Sequence, residues 1–198
     1  MGPASLELLR VAARLAADSP GKGLRRLLEQ AARRTGQRLD PRFLDVDLER
    51  LETETRQYLS TYRPGQRETL DELRRAALEA MRFFRPFRPR LVGDVLSGTA
   101  DEYSPIVLQL FAHTPEAVID LLLTRDIPFD ESETTYQYGD GRTERCSVFE
   151  IGAEGHHFRL EVFSEEGIRE APTSPGGRGT IRRASASAVE ALLADGQG

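Results

Sequence analysis

Apolar residues recur at helical spacing from Leu6 to Met81. Leu6, Leu8, Leu9, Val11, Ala12 and Leu15 mark one amphipathic helix behind Ser5, a residue suited to the N-cap. Ser19-Pro20-Gly21 breaks it, and Leu24, Leu27, Leu28 and Ala31 begin a second helix closed by Gly36. Asp40-Pro41 places a cap and an N1 proline before a third, through Phe43, Leu44, Leu48, Leu51 and Leu59. After Pro64-Gly65 a fourth is carried by Leu70, Leu73, Ala77, Leu78 and Met81. No β alternation intervenes. Residues 1–88 read as an all-helical module.

Phe83–Pro89 (FFRPFRP) ends that pattern, because each proline pushes the preceding residue toward extended geometry. Arg82, Arg85, Arg88 and Arg90 surround it. They read either as a basic, aromatic-interleaved strip for nucleic acid or as a linker laying arginine stems over the next domain. The linker is preferred, since four arginines do not specify a partner.

Short β-runs follow: Leu91–Leu96, Ile106–Phe111, Thr134–Tyr138, Arg142–Ile151 and His156–Phe163. Gly139-Asp140-Gly141 is a hairpin signal between two of them. Thr114-Pro115-Glu116 opens a helix over Ala117–Thr124, with Pro115 at N1, and Ala171–Gly179 is a loop by composition. Ser185 or Ser187 caps a last short helix through Val189, Leu192 and Leu193. Residues 89–198 therefore read as a small mixed sheet with flanking helices, and the whole chain as α+β.

Composition narrows the class. The 198 residues are 39% hydrophobic and 30% charged, with a mean hydropathy of −0.45. No stretch approaches the roughly 20 apolar residues of a membrane span. Met1–Arg10 lacks a basic start followed by an apolar run. A cytoplasmic protein with no membrane partner is expected. The single cysteine, Cys146, excludes an intramolecular disulfide and any multi-cysteine zinc site. The net charge of −5 hides a split: residues 1–90 hold 19 Lys and Arg against 13 Asp and Glu, and residues 91–198 hold 8 against 19. The basic helical half offers a surface for an acidic protein partner or nucleic acid.

One segment carries a resemblance. Leu91-Val92-Gly93-Asp94-Val95-Leu96-Ser97-Gly98-Thr99-Ala100, followed by Ser104-Pro105-Ile106-Val107-Leu108, resembles the signature of the nucleotidyltransferase superfamily, whose fold is shared with DNA polymerase β. It covers Leu91–Leu108 directly and, by element order, residues 91–165. The resemblance implies a strand ending at Gly93, a loop at Gly98-Thr99-Ala100 and a metal strand over Ser104–Leu108. It also implies Gly93, Asp94, Ser97, Gly98, Thr99 and Ser104 as nucleotide-binding groups. Arg178 and Arg182 of the tail join that set as candidate phosphate clamps. In the family, two alternate carboxylates on the metal strand and a third acid next door hold two Mg²⁺ ions for in-line nucleotidyl transfer.

The chain departs from that pattern. The metal-strand positions carry Pro105 and Val107, neither of which ligates a hard cation. Asp94 stands where the family has serine, and Ser97 where it often has arginine. Glu161 is the candidate third acid. A non-catalytic, nucleotidyltransferase-like protein is expected, binding a nucleotide or a protein partner and needing no cofactor. Two alternatives stay open. One is an active enzyme using Mg²⁺ and a nucleoside triphosphate, with Asp94 and Glu161, joined by Glu102, as relocated ligands; Asp101 is a further loop acid with an oxygen to offer. The other is a scaffold with a basic helical surface.

The remaining candidates read more simply. His156 and His157 are adjacent on a strand, point to opposite faces and do not chelate together. His113 has no acid or cysteine at metal-ligand spacing, and Cys146 reads as a packed thiol. Ser19-Pro20-Gly21-Lys22-Gly23 lacks the preceding strand and spacing of a phosphate loop. Arg169, Arg178, Arg182 and Arg183 either clamp a phosphate or pair with the carboxylates of their own half; pairing is preferred.

Overall fold

The computed structural model describes residues 2–19, 23–62, 65–174 and 179–195. Helix α1 (Leu6–Ala17) starts at Ser5, whose hydroxyl accepts from the Leu8 N–H at 3.2 Å. Helix α2 (Leu24–Thr35) stops at Gly36, which adopts φ +66° and donates its N–H to Ala32 O. Asp40 caps a 3-10 turn over Pro41–Phe43 that runs into α3 (Leu44–Tyr62). Leu8, Leu9 and Ala12 of α1, Leu28 and Ala31 of α2, and Leu51 of α3 bury one another in a first hydrophobic core. The phosphate-loop-like stretch at Pro20–Lys22 lies outside the described residues.

Helix α4 (Gln66–Phe83) turns its apolar stripe elsewhere. Leu70, Leu73, Ala77, Leu78 and Met81 pack with the sheet in a second, larger core. The hydrophobic cores thus separate between α3 and α4, while the periodicity changes only after α4. Helical spacing shows that a stripe exists, and tertiary packing selects what covers it.

The joint FFRPFRP wraps onto the sheet domain. Phe84 is 1% exposed, Arg85–Phe87 form a 3-10 turn, and Arg88 takes φ +48°. Arg82 pairs with Glu190 at 3.4 Å, and Arg90 Nη1 donates to Pro89 O at 3.0 Å. The expected linker is thus part of the core that α4 shares with the sheet, with Phe84 inside it and Phe83 and Phe87 packed against it.

Among the described residues five strands follow: β1 (Arg90–Val92), β2 (Ile106–Ala112), β3 (Asp130–Gln137), β4 (Thr143–Ala153) and β5 (His156–Ser164). They lie in the order β1-β2-β5-β4-β3, with β2 and β5 parallel and the other neighbours antiparallel. Helices α5 (Gly93–Ser97), α6 (Glu116–Thr124) and α7 (Ala186–Asp195) complete the α+β arrangement.

Several expected boundaries move. The run Leu91–Leu96 is not one strand: it stops at Val92, and Gly93, at φ +73°, turns the chain into α5. Pro115 occupies the N-cap of α6 rather than N1. Strand β3 begins at Asp130, because its ladder with β4 continues where its side chains are exposed and carry no apolar pattern. Ser185 rather than Ser187 caps α7, accepting from the Ala188 N–H at 3.3 Å.

The sheet has two unlike faces, set by strand alternation. Ile106, Leu108, Leu110, Phe149, Leu160 and Val162 join the core with α4, α6 and α7. Val107, Gln109 and Phe111 of β2 and Arg159, Glu161 and Phe163 of β5 are paired on the other face. One end of that face is closed by Phe111, Phe163 and Cys146. Its middle is polar and borders a cleft. No helix among the described residues is long and apolar enough to cross a membrane.

Candidate binding cleft

The cleft, about 540 Å³, lies between α3 and the polar face of the sheet. Gly93 forms one corner. A Cβ there would meet Val107 Cγ2 at an ordinary 3.6 Å, so the positive φ, not lack of space, calls for glycine.

The loop after α5 does not present free amides to the cleft. The N–H groups of Gly98, Thr99 and Ala100 all donate to Asp94 O, at 2.9, 3.0 and 3.2 Å. Ser97 Oγ donates to the same carbonyl at 3.2 Å, and Thr99 Oγ1 donates to Asp94 Oδ1 at 3.2 Å. Gly98, at φ +83°, is the C-cap of a short helix. Burial pushes the Asp94 carboxyl up, and the Thr99 hydroxyl opposes that shift. Ser104 closes its own turn, accepting from the Asp101 N–H at 2.9 Å and donating to Asp101 Oδ1 at 2.8 Å.

Glu161 forms the buried floor, 3% exposed. Its Oε2 accepts from Tyr136 OH at 2.6 Å and from Gln109 Nε2 at 3.2 Å, and its Oε1 from Arg159 Nε at 3.0 Å. Arg159 Nη1 reaches on to Glu150 Oε1 at 2.7 Å. Gln109 Oε1 accepts from Arg183 Nε at 2.6 Å. Arg183 also donates to Gly167 O and Glu170 O and lies over the Phe111 and Phe163 rings. Burial, followed by the Glu161 charge, holds the Tyr136 phenol well above its ordinary range. A carboxylate whose two oxygens already accept from three fixed donors has few lone pairs left for a metal.

The cleft gathers Gly93, Asp94, Ser97, Glu161 and Arg182. Gly98, Thr99 and Ser104 are not on its lining, and Arg178 lies outside the described residues. Glu102 is exposed in the turn before β2. Val107 presents a hydrocarbon beside Gly93 where the resemblance calls for an aspartate. Among the described residues, no group of three His, Cys, Asp or Glu is placed to hold a metal. The side chains here therefore do not fit the family's Mg²⁺ pair.

Gln109 and Tyr136 escaped the sequence reading, and Arg183, expected to pair with carboxylates, donates to a carboxamide and two backbone carbonyls instead. Gln109 was findable, two residues beyond Val107 and so on the same face. Tyr136 had no local signal, and the partner of Arg183 had none, because both reach the floor from distant segments, β3 and the tail.

The walls are acidic. Helix α3 contributes Asp45, Glu49 and Glu52, and Arg182 crosses from the tail to Glu52 at 3.4 Å. Of the other candidates, His156 is partly buried and His157 exposed, His157 standing 3.0 Å from Glu150. Cys146 is 1% exposed, and burial first, then Glu144 and Glu161, pushes its thiol up to about 12. It is a packing residue. No family model, curated protein or solved structure matches this chain.

Proposed function

We propose that this chain is a non-catalytic, nucleotidyltransferase-like protein that binds a protein partner in the cleft between α3 and the polar face of the sheet. The observation that carries the reading is the engagement of Glu161 by Tyr136, Gln109 and Arg159, with Val107 on the same cleft lining. Among the described residues, the strand carboxylate on the cleft lining is committed to its own sheet, and Val107, two residues before Gln109, the register partner of Glu161, is a hydrocarbon. Charge selects the ligand class. Asp45, Glu49, Glu52 and Asp94 outnumber Arg182 on the lining, a balance that disfavours a metal-free triphosphate and favours a segment rich in lysine or arginine. A basic protein segment is therefore preferred over a nucleotide.

A thermal-shift panel of nucleoside triphosphates, with and without Mg²⁺, tests this: no stabilisation is expected in either arm. Stabilisation without metal returns the nucleotide as ligand. The second reading, an active enzyme with relocated ligands, draws on Asp94 and Glu161 lining one cleft. It requires Mg²⁺-dependent transfer of a labelled nucleotide that is lost in Glu161→Ala and Asp94→Asn. Such transfer would overturn the binding-only reading.

A further inference from the structure

A second groove, about 570 Å³, runs between α1 and α3 and shares no lining residue with the cleft. One wall carries Arg10 and Arg14, a single helical turn apart and both exposed. The other carries Tyr58 and Tyr62, also one turn apart, with ring centroids 4.8 Å apart and planes tilted by 37°. Tyr58 packs on the helical core, while Tyr62 is 67% exposed. An aromatic ring left in water on top of another ring is an incomplete stack.

Charge points the same way. Among the described residues, neither Arg10 nor Arg14 is paired with a carboxylate within 4 Å, and the groove's own acid is Glu54. On the groove's own lining the two arginines face that one acid. Successive arginines on one helix face stand about 6 Å apart along the axis, a spacing that suits consecutive phosphates of an extended strand. Gln57, exposed on the groove lining one residue before Tyr58, adds a side-chain amide that donates and accepts.

We propose that this groove binds single-stranded nucleic acid, with Arg10 and Arg14 on the backbone phosphates and a base stacked on Tyr62. Stacking and a basic track together define sequence-tolerant single-strand binding. The partner is single-stranded because a paired base does not offer its face to Tyr62.

The test uses the full chain and a fluorescein-labelled oligothymidylate, read by anisotropy. Binding is expected at low salt, with affinity falling as salt rises from about 50 to 200 mM. Replacing both arginines (Arg10→Ala with Arg14→Ala) should flatten the log–log salt slope by about 1.4, at about 0.7 per phosphate contacted. Tyr62→Ala should weaken binding about tenfold while leaving the slope unchanged. All three positions are exposed, so an unchanged thermal midpoint verifies folding. Duplex DNA and polyglutamate should displace the strand poorly. Absence of binding at low salt overturns the proposal, as does binding that survives both variants. Equal displacement by polyglutamate, with no effect of Tyr62→Ala, replaces the strand with an acidic protein partner.

Discussion

Gln109 Nε2 donates to Glu161 Oε2 at 3.2 Å across the parallel β2–β5 pair, where the two residues are direct register partners. The carboxamide is held at its other end by Arg183, so one neutral side chain connects a buried carboxylate to a guanidinium from the tail. This arrangement fills the polar face of the sheet with bonds made to itself. It also makes the face a structural element whose removal should be felt in stability.

Glu161→Ala leaves Arg159 with one carboxylate instead of two and strips Tyr136 of its acceptor. A loss of about 3 kcal/mol is expected, in the range for breaking a buried charge pair. Glu161→Gln keeps the shape and should cost about 1–2 kcal/mol. Urea unfolding measures both. Equal stability of Glu161→Ala and wild type would mean that water replaces the network.

Arg183→Lys should cost about 2 kcal/mol. Lysine keeps the charge but loses the planar fork that reaches Gln109, Gly167 O and Glu170 O while stacked on Phe111 and Phe163. A urea midpoint matching wild type would show that charge alone suffices.

Native Cys146 should resist a thiol reagent at neutral pH and react stoichiometrically once unfolded, because the folded thiol is shifted to about 12. The same shift gives a pH dependence of known sign. The folded state favours the protonated thiol, so its contribution is complete below the unfolded value of 9.0 and is lost as pH rises from there to about 12. Urea midpoints at pH 8 and above pH 10 should diverge for wild type and diverge less for Cys146→Val.

Gly98→Ala should destabilise by about 1–3 kcal/mol, the cost of a left-handed non-glycine residue. The new Cβ would also meet Arg56 Cδ at 3.1 Å. Combining it with Arg56→Ala should relieve only the steric part, leaving most of the loss in a double-mutant cycle. Full recovery would place the whole penalty in the contact.

Local chemistry was legible wherever a residue acts on its near neighbours. Ser5 and Gly36 bound their helices as their types require, and the hairpin about Gly139-Asp140-Gly141 joins β3 to β4. Strands β2 and β5 lie within a residue of their apolar runs. Apolar patterning failed where one residue redirected the chain, as at Gly93, whose positive φ splits the run Leu91–Leu96 into strand and helix. It failed also for the cleft floor. Gln109 and Glu161 are 52 residues apart, Tyr136 and Glu161 25, and Arg183 and Gln109 74.

By itself the amino-acid sequence determined the α+β class, the helical first part, the charge split and the hydrocarbon at Val107. Each follows from composition or from a period of a few residues. Only the tertiary structure decided that α4 serves the sheet, that the loop amides turn to Asp94 O, and that Glu161 is held by three donors. The physical reason is common to all three. A stripe, an amide or a carboxylate carries its need for a partner in its own chemistry, but the partner that meets the need is chosen by packing across distant parts of the chain.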